Sequence, residues 1–153
     1  MSEPKATREG YGDALAELAK INKKVVALDA DLNDSTRSDY IKKIDPKRFI
    51  GMGIAEQDMI GTAAGLAVSG KIPYASTFAI FSERAFEFVR NIVSRNKLNV
   101  KIAGSHAGIF TGEDGKSAQA IEDIAAYRSL SNMVVIQPSD AIEAEKAVLA
   151  LLN

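Results

Sequence analysis

Phe49-Ile50-Gly51-Met52-Gly53-Ile54-Ala55-Glu56-Gln57 reads as a short apolar strand turning into a helix, and this reading decides the fold. The strand is expected over residues 49–53 and a helix rich in small residues over 57–69. Glu56 sits at their junction. A carboxylate there can be a helix-start residue favoured by the helix dipole, or it can face a cleft whose burial tunes it for chemistry.

The same alternation runs outward in both directions. Thr7–Ile21 is expected to be a helix with Tyr11, Ala14, Leu15, Leu18 and Ala19 on one face. Residues 25–28 form a strand ending near Asp29 and Asp31, followed by a turn at Asn33-Asp34-Ser35 into a short helix through Tyr40, Ile41 and Ile44. Further strands are predicted over 72–78, 100–104 and 133–137. Helices are predicted over 82–94 and 119–130, and a last one, capped by Ser139 or Asp140, runs to the chain end. The 82–94 helix would turn Ala85, Phe88, Val89 and Ile92 inward. Strands apolar on both faces and separated by helices predict an α/β fold, a three-layer α/β/α arrangement with a mainly parallel sheet.

The chain of 153 residues is read as one domain, 1–153, long enough for a real core. A net charge of −1 offers no basic field for nucleic acid. The absence of cysteine removes disulfides, thiolate nucleophiles and cysteine-based zinc sites. No signal peptide is read, and no apolar run approaches membrane-spanning length, so the cytoplasm is the expected location and no membrane partner is expected.

Ligands of open α/β sheets bind beyond the carboxyl ends of the strands. Asp29, Asp31, Glu56, Thr77, Phe78 and His106 all fall at that edge. His106 is the only histidine, so a protein-only zinc site is not expected, and no Gly-x-Ser-x-Gly elbow supports a serine triad. Gly112-Glu113-Asp114-Gly115 lacks the lysine spacing of a P-loop and the oxygen pattern of a calcium loop. Phe78 and Phe81 taken alone are core residues; beside Glu56 they can wall a pocket for a flat ring. Gly61, Ala63, Ala64, Gly65 and Ala67 narrow the helix after Glu56, which allows close approach inside the domain or across a subunit interface.

Read together, these pieces resemble the transketolase family, from about Thr7 to Ala144. The resemblance rests on Ala30-Asp31-Leu32 with Ser35-Thr36-Arg37, Gly53-Ile54-Ala55-Glu56-Gln57, Ala63-Ala64-Gly65-Leu66-Ala67 and Ser69-Gly70-Lys71-Ile72-Pro73. It continues through Ser76-Thr77-Phe78, Leu98-Asn99-Val100-Lys101, Ser105-His106-Ala107-Gly108 and Gly112-Glu113-Asp114-Gly115. Ile121-Glu122-Asp123-Ile124-Ala125 and Pro138-Ser139-Asp140-Ala141 complete it. The segment is similar to the pyrimidine-binding domain of a thiamine diphosphate-dependent enzyme.

The resemblance implies a role for each matching residue. Glu56 matches the catalytic glutamate that bonds N1′ of the aminopyrimidine and favours its imino tautomer. Phe78 and Phe81 match aromatics that pack on the pyrimidine, and Asp31 lies at the matching cofactor-side turn. Arg8 and Ser35 match residues that hold a sugar phosphate. His106, also counted among the catalytic residues, and Asp114 match residues that contact a phosphorylated ketose. The implied reaction moves a two-carbon ketol unit between sugar phosphates, as in the pentose phosphate pathway. Mg2+ or Ca2+ and the diphosphate are implied to be held by a partner domain, with no metal ligand in this chain. A homodimer is expected.

The chain departs from the family pattern at Ala118, where the family usually has histidine. The spacing of Phe81-Ser82-Glu83-Arg84-Ala85 is closer to deoxyxylulose-phosphate synthase. The resemblance also predicts one more strand, with a phosphate-binding arginine, and then a third domain. The chain is therefore read as a fragment lacking its last strand and C-terminal domain, inactive without a diphosphate-binding domain, with a split subunit as the other reading. A deoxyxylulose-phosphate synthase-like domain and a non-catalytic assembly module stay open as alternative functions.

Overall fold

The computed structural model describes residues 4–152. Strand β1 (Val25–Asp29) is buried along its whole length because its two faces serve two cores. Val25 and Ala27 join one apolar cluster, and Val26 and Leu28 join the other. This is the period-two alternation of a strand covered on both sides. Strands β2 (Phe49–Gly51), β3 (Ile72–Phe78) and β4 (Lys101–Ser105) complete a parallel sheet in the order β2-β1-β3-β4. The predicted three-layer α/β/α architecture is what forms.

On one face lies helix α1 (Thr7–Ile21), which buries Tyr11, Ala14, Leu15, Leu18 and Ala19 as its periodicity predicts. Helix α7 (Ala141–Ala150) packs along it, started by the Asp140 carboxylate, which accepts from Glu143 N at 2.8 Å. The crossing of the two helices passes over Gly10, whose missing side chain lets the Ala141 backbone come close. Between β1 and β2 run the short helix α2 (Asn33–Thr36) and a 3-10 turn, Ser38–Lys43.

On the other face, helix α3 (Glu56–Val68) packs Met59, Ile60, Ala63 and Ala64 into the core. Gly61 and Gly65 differ, because a Cβ on either would meet nothing within 4 Å. The close packing expected of this helix therefore involves only its alanine face inside the domain. Gly61, Gly65 and the exposed Val68 recur at helical spacing on an open face.

The helix expected over 82–94 starts earlier and changes winding. It comprises α4 (Ala79–Ser82), a 3-10 turn (Glu83–Ala85), α5 (Phe86–Phe88) and a π-helical turn (Val89–Ser94). Ala85, Val89 and Val93 are fully buried, and Phe88 and Ile92 pack against the same core. Helix α6 (Asp123–Arg128) is shorter than the predicted 119–130. Ala120 is withdrawn from it by an antiparallel bridge to Gly108, with Gly108 N donating to Ala120 O at 2.7 Å.

The strand expected over 133–137 is not in the sheet. These residues run between α6 and α7 with no ladder partner, and a strand exists only through a neighbour's hydrogen bonds. Met133 still packs into the core, while Val134 is 77% exposed. No helix among the described residues is long and apolar enough to cross a membrane.

Candidate functional site

The carboxyl ends of β1, β2, β3 and β4 bring residues distant in sequence onto one edge. β2 stops at Gly51, and Gly53 takes a positive φ of 69° that turns the chain toward α3. Glu56 is the first residue of α3 and its side chain is only 3% exposed. Its partner is Arg84, which the sequence reading did not assign to the site. Arg84 Nη1 donates to Glu56 Oε1 at 3.2 Å and reaches Oε2 at 3.5 Å.

Phe78 ends β3 and is buried; Phe81 lies parallel to it, with centroids 5.7 Å apart and planes 5° apart. The Arg84 guanidinium sits 4.9 Å over the Phe81 ring, as cation and aromatic face prefer. Phe78, Phe81 and Arg84 recur every three residues, the spacing at which side chains of a tight helical turn align. That spacing was the available signal for Arg84.

His106 stacks on Phe78 with centroids 4.0 Å apart. It lies just beyond β4 with φ 55°, a left-handed conformation that costs energy for a residue other than glycine. Arg8 Nη1 approaches His106 Nε2 at 3.5 Å and donates to the Ser35 carbonyl at 3.4 Å. An arginine has only donors, so His106 Nε2 accepts and the proton resides on Nδ1, which donates to Ser105 Oγ at 2.8 Å. Burial, then the Arg8 charge, lower the His106 pKa below its ordinary value, and the Asp114 charge opposes them. Arg8, Ser35 and His106 are thus one group, Glu56, Phe78 and Phe81 another, and the His106–Phe78 stack joins the two.

Asp31 and Asp114 are the outlying predictions. Both are exposed, Asp31 at φ 65° and Asp114 in a 3-10 turn, Gly112–Asp114. The residue that organises the Asp31 turn is its neighbour Asp29. The buried Asp29 carboxylate accepts from Leu32 N at 2.6 Å and from the Thr36 and Ser38 hydroxyls, each at 2.7 Å. Burial pushes its carboxyl above the ordinary carboxylate range, and those three donors oppose the push. Ala118 is buried at 4%, and Gln119 Nε2 donates across the loop to Ile109 O at 3.0 Å.

The family model of the transketolase pyrimidine-binding domain matches residues 3–153. The chain belongs to the transketolase family. A Methanocaldococcus jannaschii protein provisionally named as a transketolase C-terminal section is 55% identical over 137 residues, which are 89% of this chain and 43% of that protein. Human transketolase is 44% identical over 149 residues, 97% of this chain and 24% of that enzyme. Among solved structures, a split gene transketolase described as an inactive β4 tetramer superposes with a TM-score of 0.84 at 53% identity, covering 95% of this chain and 47% of that one. Campylobacter jejuni transketolase superposes with a TM-score of 0.91 at 30% identity, covering 99% of this chain and 24% of that one. The transketolase domain described here spans less than half the length of these relatives. Within it, the buried Glu56 carboxylate and the stacked Phe78 and Phe81 rings stand together at the carboxyl edge of the sheet, linked through Arg84.

Proposed function

We propose that this chain supplies the pyrimidine half of a cytoplasmic transketolase-type active site that moves a two-carbon ketol unit between sugar phosphates. The observation that carries the reading is the buried Glu56 carboxylate beside the stacked Phe78 and Phe81 rings, with the Arg8–His106 pair stacked against the same wall. When bound, thiamine diphosphate supplies the nucleophilic carbon that carries the ketol unit. Glu56 shares a proton with the ring N1′ in a site of low dielectric, and Phe78 and Phe81 fix the ring plane. Arg8 and His106 receive the substrate's phosphate, and Asp114 faces its hydroxyls. Asp31 borders the cofactor side, and Ser35 the phosphate side. The diphosphate and its Mg2+ or Ca2+ belong to a partner domain or chain.

The unpaired segment 133–137 supports the reading as part of a longer polypeptide. Met133, Val135 and Gln137 alternate along one side of it and, with Ile124 and Arg128, line a cleft of about 420 Å³. β4 is one of the two edge strands of the sheet, β2 being the other. A further parallel strand is the natural occupant. The open face of α3, with Gly61, Gly65, Val68 and the nearby exposed Ile54, supports pairing with a second copy. Sedimentation is expected to show a dimer, and a monomer at high concentration overturns that part.

Mixing the chain with the diphosphate-binding chain of a split transketolase, thiamine diphosphate, Mg2+ and a ketose phosphate is expected to restore ketol transfer that neither chain shows alone. Partner binding with neither transfer nor saturable thiamine diphosphate binding would point instead to the assembly reading; clear saturable cofactor binding counts against it.

His106 provides a second test. Its pKa is lowered in the folded chain, so it stays neutral near pH 7 and is protonated only below its unfolded value. The contribution of neutral His106 to stability is present above the unfolded pKa and is lost as pH falls through the folded one. An arriving phosphate raises the pKa again. Calorimetry with a sugar phosphate near pH 6.5, in two buffers of different ionisation enthalpy, is expected to show proton uptake of up to about one per phosphate bound. His106→Asn is expected to abolish the uptake; identical uptake in that variant places the phosphate elsewhere.

A further inference from the structure

Arg84 stands over both surfaces that the proposed function gives to the pyrimidine. One of its nitrogens bonds both oxygens of Glu56, and its guanidinium lies on the ring of Phe81. Among the described residues Glu56 makes no other side-chain hydrogen bond. The two members of the pair are unequal, with Arg84 52% exposed and Glu56 3% exposed. A ring nitrogen cannot reach a carboxylate that is 3% exposed while its cap is in place. Glu56 is fixed on the first turn of α3, whereas the long Arg84 side chain already has half its surface in water. Its guanidinium can swing fully out with little further change in hydration, and the carboxylate cannot.

We propose that Arg84 is a gate on the cofactor site. In the empty domain it neutralises the buried Glu56 and covers Phe81. On binding, Glu56 exchanges the guanidinium for the ring N1′, and the pyrimidine takes the place of Arg84 on the aromatic wall. The ion pair keeps a buried carboxylate in position without cofactor, and opening it is a cost that each binding event meets. This inference rests on the pyrimidine-binding role of Glu56 argued above.

The test has two arms. In the isolated chain, Arg84→Met leaves the Glu56 charge without its partner and is expected to lower the melting temperature by roughly 5 °C. The same change in a Glu56→Gln background is expected to lower it by less than about 1 °C, because no charge is left to strand. Equal losses in both backgrounds overturn the pairing. In the reconstituted complex, thiamine diphosphate affinity is read by calorimetry. If the cap is closed about nine-tenths of the time, its removal makes binding about tenfold tighter. Arg84→Lys, which keeps the charge but not the flat stack, should fall between Met and wild type. It serves as the gate test if the Met variant does not fold. Weaker or unchanged binding by these variants overturns the gate while leaving the pyrimidine site intact. An absence of cofactor binding by every form, wild type included, overturns the functional reading with it.

Discussion

Glu56→Gln is expected to lower the turnover of the reconstituted enzyme by roughly a hundredfold to ten-thousandfold, the range for removing a positioned proton-transfer group. Glutamine keeps the length and planarity of glutamate, so the first turn of α3 and the aromatic wall should be undisturbed. It cannot hold the negative charge that makes sharing a proton with a ring nitrogen favourable. The loss should fall on kcat, with the Michaelis constant for the sugar phosphate nearly unchanged, because Arg8 and His106 make no hydrogen bond to Glu56 or Arg84 and meet that group only through the His106–Phe78 stack. Steady-state kinetics with matched cofactor saturation gives the comparison. Full turnover in the variant removes Glu56 from the chemistry.

Gly10→Ala is expected to produce the largest stability loss of any one-carbon change in the chain. The added Cβ would lie 2.9 Å from the Ala141 carbonyl carbon and 3.0 Å from its Cα, and closer still to its oxygen. The obstacle is backbone, so no rotamer relieves it and α7 must move off α1. Helix propensity favours alanine by about 1 kcal/mol, and overpacking against a fixed backbone costs about 3 kcal/mol or more. The net fall in melting temperature should be roughly 4–8 °C. If Gly10→Ala melts like wild type in calorimetry, α1 and α7 do not cross as described.

Much of the candidate site was legible because its signals are local. Glu56 is marked by a strand running into a helix, and Phe78 and His106 by strand ends. The 133–137 strand was misread because its apolar pattern is local while its ladder needs a neighbour. The 82–94 helix was placed late because Ala79–Ser82 follows β3 with no turn residue between. Asp29 was placed at the strand end, but its organising role was not legible because it depends on two hydroxyls, Thr36 and Ser38, folding back onto it.

By itself the sequence determined the layers of this protein. Period-two and period-3.6 patterns state which side of each element is apolar, and burial of those sides on both faces of a sheet permits little else. Tertiary structure alone decided who meets whom. Arg84 and Glu56 are 28 positions apart, and Arg8 and His106 are 98 apart. They meet because the sheet order β2-β1-β3-β4 gathers strand ends from across the chain onto one edge. Side-chain periodicity carries no information about distances across a sheet, so the opened strand–helix junction acquired its arginine only when the strands took their order.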